Sequence, residues 1–349
     1  MRAAVYRGID QIVIEDVLVP TLEPGEALVR VAVCGVCGTD LKKMHLGLVP
    51  PPRIFGHETA GTIAAVGSGM TQWQVGQRVV VNHHVPCLRE DCYYCRRRTF
   101  AQCPLYKKTG ATAGFEPAGG GFAEYVRVLD WCAAGGIVGI PDGVSDAEAS
   151  FVEPLNTCLK GMRNAAVQEG DTILIIGQGP IGLLFTQLAK LAGARVVATD
   201  RYDYRLEMAR KLGADIALNP NNADVRNAIQ NLSAGRGADA AIIAVANTQV
   251  VAPAFDLLRP GGRALLFAQT RLDDPLEIDA GAICLQEKTL LGSYSSDITL
   301  QDEAADLIFS RRINVRDLIS HTFPLEEIAT AIEYASHPRE NSLKIMVAP

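Results

Sequence analysis

The stretch from Asp171 to Asp200 constrains this chain more than any other. Thr172-Ile-Leu-Ile-Ile176 is a short β-branched run of the kind that forms a buried parallel strand, and it breaks into Gly177-Gln178-Gly179-Pro180-Ile181-Gly182. Leu183, Leu184, Gln187, Leu188 and Leu191 then recur at helical spacing, and Gly193 marks the end of that helix. A second strand, Arg195 to Thr199, ends on Asp200, 18 residues past Gly182. Isolated glycines serve ordinary turns. In this strand, turn, helix and strand order they form the dinucleotide-binding fingerprint. Gly177 makes the tight turn, Gly179 lets backbone approach a pyrophosphate, and Gly182 lets helix and strand pack closely. The helix that starts at Pro180 offers free N–H groups, from Ile181 onward, to phosphates. Asp200 stands where an acid accepts hydrogen bonds from a ribose 2′-hydroxyl and repels a 2′-phosphate, so NAD is expected over NADP. Arg201 and Arg205 are the complication, because a nearby arginine is how related folds accept the phosphate.

A chain of 349 residues with 48% hydrophobic content can fill more than one core, which predicts two domains. The net charge of −6 leaves no electrostatic footprint for nucleic acid, and the one basic run, Arg96 to Arg98, lies inside a cysteine cluster. No apolar run approaches membrane-span length, and Met1 to Tyr6 reads as a strand with no signal-peptide pattern, so a cytoplasmic protein is expected. Nine cysteines, odd in number and clustered in spacing, point to metal ligation before disulfides.

From Met1 to about Ile140 the pattern is short strands separated by Gly and Pro, which predicts a β-rich, barrel-like domain. Ser145-Asp-Ala-Glu148 is a capping-box sequence. From Thr172 strands and helices alternate as in a doubly wound parallel sheet, with Pro260-Gly261-Gly262 as a connecting turn. After Leu290 come two helices and a last strand, Ser342 to Val347, expected to rejoin the first domain and make it discontinuous. The expected boundaries are 1–146 with a metal lobe at 84–106, 147–288 for the nucleotide domain, and 289–349 for the return.

Two groups of residues have metal-ligand chemistry. Cys37-Gly-Thr39-Asp40 follows a strand, Gly56-His57-Glu58 precedes another, and Glu153-Pro154 opens a helix. Thiolate, imidazole and carboxylate are competent zinc donors, and a site mixing them with an exchangeable position is a Lewis acid. Taken singly, each is equally a core cysteine, a hydrogen-bonded histidine or a helix-terminal acid. Cys87, Cys92, Cys95 and Cys103 put four thiols within one irregular loop, the make-up of a closed structural zinc site. An empty site or a disulfide is the alternative. Cys34, Cys132, Cys158 and Cys284 carry no ligand spacing.

These motifs, in this order, with Gly120-Gly-Phe-Ala-Glu-Tyr125 and Arg205-Leu-x-x-Ala209 beside them, resemble the zinc-dependent medium-chain dehydrogenases over nearly the whole chain. The likeness is nearest to the sorbitol and threonine dehydrogenase branch, because Glu follows His57 and Glu stands at 153. The resemblance implies a GroES-like catalytic domain beside the Rossmann domain and a catalytic zinc on Cys37, His57 and either Glu58 or Glu153. It also implies a second zinc on Cys87, Cys92, Cys95 and Cys103, although Arg89 occupies the place of the usual first cysteine. Two zinc ions per chain and a homo-oligomer, dimer or tetramer, follow from it.

The reaction it implies is hydride transfer between a small polar secondary alcohol (a polyol, sugar, cyclitol or amino-alcohol) and the nicotinamide. Thr39 matches the hydroxyl at the head of the proton relay, and Thr157 and Ile181 match positions flanking the nicotinamide. Many relatives end the relay on a histidine where this chain has Lys42, which leaves His45 as a candidate acceptor. His45, Phe115, Asn156 and Tyr294 are candidate pocket residues. The alternative from another class is a zinc-stabilised nicotinamide-nucleotide sensor without turnover, which would not need Cys37, Thr39 and His57 together.

Overall fold

The computed structural model describes residues 1–82, 84–106, 119–268, 273–339 and 341–349. They divide into two compact units, 1–156 with 296–349, and 157–295. Both boundaries lie later in the chain than 146/147 and 288/289, for local reasons. The helix Asp146–Ala149, opened by the Ser145 and Glu148 capping box, packs on strands of the first unit. The strand Thr289–Gly292 completes the sheet of the second.

The first unit opens with β1 (Arg2–Gly8), β2 (Gln11–Asp16), β3 (Ala27–Gly35), β4 (Arg53–Ile54), β5 (Glu58–Val66), β6 (Arg78–Val81), β7 (Tyr125–Val128) and β8 (Ile137–Gly139). The second carries β9 (Thr172–Ile176), β10 (Arg195–Thr199), β11 (Ile216–Leu218), β12 (Ala238–Ile243), β13 (Leu258–Leu266) and β14 (Thr289–Gly292). The chain then returns with β15 (Ile319–Pro324) and β16 (Lys344–Ala348).

In the first unit one sheet runs β15-β16-β3-β5-β6-β8 with β7 also paired to β3, and a smaller one runs β2-β1-β4. Val5, Val29, Phe55, Ile63, Val79, Phe122, Val126 and Ile345 fill the core, each essentially sealed from water. The register places chemistry at one end of β3. Gly35 pairs with Glu58 of β5 on one side and with Met346 of β16 on the other, so the return strand lies beside the Glu58 end of β5.

The second unit is a six-stranded parallel sheet in the order β11-β10-β9-β12-β13-β14, the doubly wound arrangement. The central strands are buried as the β-branched runs predict. One expectation is corrected: Pro260-Gly261-Gly262 lies within β13. Register moves from the Ala238–Leu258 pair to the Ala240–Arg263 pair, so the extra residues bulge without ending the strand. β15 also went unpredicted, because its half-exposed residues lack an apolar alternation.

Candidate active site

Cys37 follows β3 and caps the helix Gly38–His45, its Sγ accepting the Thr39 N–H at 3.5 Å. His57 and Glu58 stand where β5 begins. The Cys37 sulfur, a His57 ring nitrogen and a Glu58 carboxylate oxygen all lie within 4.8 Å of one another. Sulfur, nitrogen and oxygen donors at that separation fit a zinc ion. Glu153 is buried but outside this set. Burial pushes its carboxyl up to about 7; His57 opposes the rise and Glu58 adds to it. Thr39 is partly exposed in the first turn of the Cys37 helix.

Two residues behind the donors carry roles that sequence reading did not assign. Asp40 Oδ1 lies 3.1 Å from His57 Nδ1, and the Asp40 side chain is fully buried. An Nδ1–H donated to Asp40 leaves Nε2 as the donor toward Cys37 and Glu58. Burial works against the His57 cation, yet Asp40 and then Cys37 raise its pKa well above the usual value. Lys344, buried on β16, pairs through Nζ with the Glu58 carboxylate. Burial alone would lower the ammonium, and Glu58 and Cys37 outweigh it and hold it up. A Cβ at Gly35 would overlap the Glu58 carboxylate and lie 2.7 Å from Lys344 Cε, so glycine there makes room for the pair. The sequence signals were the Asp that closes Cys-Gly-Thr-Asp and a lysine inside an apolar terminal strand.

His45, the candidate relay acceptor, is held by two side-chain partners. Its Nδ1 is paired with Asp10, and its Nε2 lies 2.8 Å from Ser336 Oγ. The segment is helical as assumed, but both ring nitrogens are engaged by the β1–β2 turn and the end of the helix Ile328–Ser336. Asn156 ties to the Asp297 backbone, its amide exchanging two hydrogen bonds at 3.0 and 2.9 Å. Tyr294 belongs to the second unit and is 42% exposed, and Phe115 lies outside the described residues.

The four lobe cysteines come together as well, with all sulfurs within 4.8 Å of one another. Cys87 reaches the cluster despite its displaced position: its Sγ is 3.7 Å from that of Cys95, and its N–H donates to Cys103 Sγ at 3.4 Å. Leu88, at φ +51°, turns the lengthened loop back. Burial raises the Cys103 thiol, but the N–H groups of Cys87, Tyr106 and Leu105 outweigh it and bring it down to about 7. Four thiols in this geometry fit a closed tetrahedral zinc.

In the second unit Gly177 adopts φ +90°, and a Cβ on Gly182 would overlap the Gly177 carbonyl oxygen, so each glycine has the role its motif position implies. Gly179 caps the helix Pro180–Leu191, with Pro180 at its start and Ile181 half-exposed beside it. Asp200 accepts the Gln178 N–H at 2.7 Å and the Tyr202 N–H at 3.0 Å. Arg205 lies 3.7 Å from Asp200, against the rings of Tyr202 and Tyr204, whereas Arg201 is exposed. Thr157 is buried on the helix Val152–Ala165.

Family models agree with both halves of this description. An alcohol dehydrogenase GroES-like domain matches residues 23–142, and a zinc-binding dehydrogenase domain matches 180–310. An alcohol dehydrogenase of Cupriavidus necator is 32% identical over 100% of this chain and 99% of its own. This chain belongs to the zinc-dependent medium-chain dehydrogenases. Within the family it falls in the sorbitol dehydrogenase-like branch: a Bacillus subtilis sorbitol dehydrogenase is 31% identical over 100% of this chain and 97% of its own. A proposed zinc-binding dehydrogenase of Sinorhizobium meliloti 1021, solved bound to NADP, superposes with a TM-score of 0.89 at 30% identity, covering 100% of this chain and 99% of that one.

Proposed function

We propose that this family member is a zinc-dependent oxidoreductase moving a hydride between NAD and a small polar secondary alcohol of the polyol, sugar, cyclitol or amino-alcohol class. The convergence of Cys37, His57 and Glu58 carries the reading. A zinc ion held there acidifies an alcohol and polarises a carbonyl. Asp40 orients the His57 ring, Lys344 balances the Glu58 charge, and the Thr39 hydroxyl heads the relay, accepting the alcohol proton as it hands its own on toward solvent. Buried Glu153 is available to exchange with Glu58 or to hold a water. The N–H groups that follow Gly179, from Ile181 onward, would hold the pyrophosphate of a nicotinamide cofactor, which would supply the hydride acceptor. Cys87, Cys92, Cys95 and Cys103 would hold a second, structural zinc.

The preference for NAD rests on Asp200, which follows β10 at the position of the motif's ribose-binding acid. A redox-silent sensor accounts for the lobe and the glycine loop but leaves the mixed-donor cluster without a role. None of the nine cysteines is in a disulfide, which favours a reducing, cytoplasmic compartment. No helix among the described residues is long and apolar enough to cross a membrane. The outer strand β14, with Ile283 and Leu285 exposed nearby, supports homo-oligomerisation through self-association.

The test is the absorbance of reduced nicotinamide, followed with each cofactor across a panel of polyols, sugars and amino-alcohols. Turnover with NAD on at least one member is expected. Silence on every member would overturn the reading in favour of the sensor.

A further inference from the structure

Within the first unit, three aromatic rings form a column from the cysteine lobe to the catalytic cluster. Tyr106 belongs to the lobe: it packs with Cys95, Phe100 and Cys103, and its N–H donates to the Cys103 carbonyl at 3.1 Å. The Tyr106 ring stacks on His84, with centroids 5.5 Å apart and planes inclined by 21°. His84 in turn meets His57 edge to face, at 5.8 Å and 61°. All three side chains are buried.

The column is held from the side by a closed set of hydrogen bonds. Asn82 Oδ1 accepts the His84 N–H at 2.9 Å, and Asn82 Nδ2 donates to Gln301 Oε1 at 2.9 Å and to Ser296 Oγ at 3.4 Å. Ser296 Oγ lies 3.1 Å from the Tyr106 hydroxyl. Asn82 therefore ties the backbone that carries His84 to the residue that holds Tyr106. Asp40 fixes the Nδ1 corner of His57. His84 supplies a second contact, against the ring itself. In an interior packed to crystal density, a displaced ring displaces its neighbour, so the fold of the lobe reaches His57 through two ring contacts.

We propose that Tyr106 and His84 are positioning residues through which the folded cysteine lobe fixes the His57 imidazole for metal binding. The inference rests on the reading that Cys37, His57 and Glu58 hold a metal ion, and the experiment separates the two.

Protein with its lobe loaded and its catalytic cluster emptied by a chelator is titrated with Co(II), following the thiolate-to-cobalt absorption. Cys37→Ser serves to locate that absorption at the cluster, because the variant should lack it. His84→Leu and Tyr106→Leu are expected to weaken Co(II) binding about tenfold and to shift the ligand-field bands, as loss of an outer-shell partner does. His84→Phe, which restores a ring between Tyr106 and His57, should bind within about twofold of the parent. Tyr106→Phe, which keeps the ring and loses the hydroxyl that holds Ser296, should lose about threefold. A role confined to stability would lower the melting temperature and leave affinity and spectrum at parental values. Parental affinity and spectrum in the leucine variants would overturn the proposal, as would parental values in Tyr106→Phe should the leucine variants not fold. Absence of a Cys37-dependent absorption in the parent would instead overturn the metal reading on which the proposal rests.

Discussion

His57 Nδ1 lies 3.1 Å from Asp40 Oδ1, with 7% of the histidine side chain and none of the aspartate side chain open to solvent. That pair decides which ring nitrogen can face Cys37 and Glu58. Asp40→Ala is expected to lower metal affinity at the cluster about 10- to 100-fold, and Asp40→Asn, whose amide oxygen still accepts the Nδ1–H, by less. Metal retained on dialysis against graded chelator reads the effect. Parental retention in Asp40→Ala would show that His57 is oriented by other means.

Lys344→Met removes the cation that faces buried Glu58. Breaking a buried pair by deleting one partner costs roughly 3–5 kcal/mol, because the remaining charge has no compensation. A divalent ion on Glu58 supplies that compensation, so the loss in melting temperature should be large in metal-free protein and smaller in the loaded form. Equal losses in both forms would mean that Glu58 does not face the metal.

Glu153 gives a pH dependence whose sign is fixed. Its folded pKa, pushed up to about 7, lies above the unfolded carboxyl value, so the folded state binds the proton more tightly. The associated stability is fully present below the unfolded value, falls as pH rises, and is gone above about 7. In metal-free protein, Glu153→Gln should therefore flatten the denaturation profile between roughly pH 4 and 7 and be more stable than the parent above that window. An unchanged slope through the window would contradict the buried, proton-holding carboxyl.

On the proposed reading, Asp200 and Arg205, 3.7 Å apart, set cofactor choice together. A like charge at ~4 Å and an effective dielectric of ~20 costs about 4 kcal/mol before screening, so even a fraction of it gives tenfold discrimination against a 2′-phosphate. Asp200→Ser should lower kcat/KM with NAD and raise it with NADP, because Arg205, no longer paired, can meet the phosphate. Its effect on NAD should exceed the loss of one ribose contact, since Asp200 also holds the Gln178 and Tyr202 N–H groups. A parent enzyme with higher kcat/KM for NADP would contradict the assignment.

Features encoded by neighbours along the chain were legible before the fold was seen. The turn at Gly177, the close packing at Gly182 and the cap at Ser145 each follow from a few adjacent residues, and the structure carries all three. The boundary at 156/157 was not legible, because the helix Val152–Ala165 runs through it without a break in pattern. Lys344 was invisible as a partner of Glu58 for a related reason. The two meet only because β16 pairs with β3 from the far end of the chain. The partners of His45 were invisible for the same cause, since Asp10 and Ser336 are set by tertiary packing and not by helical spacing. Donor chemistry and Asp40 were written locally, whereas Lys344, which balances the charge of a donor, was written at long range.

The central claim is that the mixed-donor cluster performs the chemistry and the thiol lobe maintains structure. Turnover and zinc content of Cys37→Ser, measured side by side with the parent, test it most directly. The parent is expected to carry two zinc ions per chain, one for each cluster, and to reduce NAD with its alcohol. Cys37→Ser should keep its fold and the lobe zinc, lose the other, and show no turnover. Parental turnover in Cys37→Ser would contradict the account.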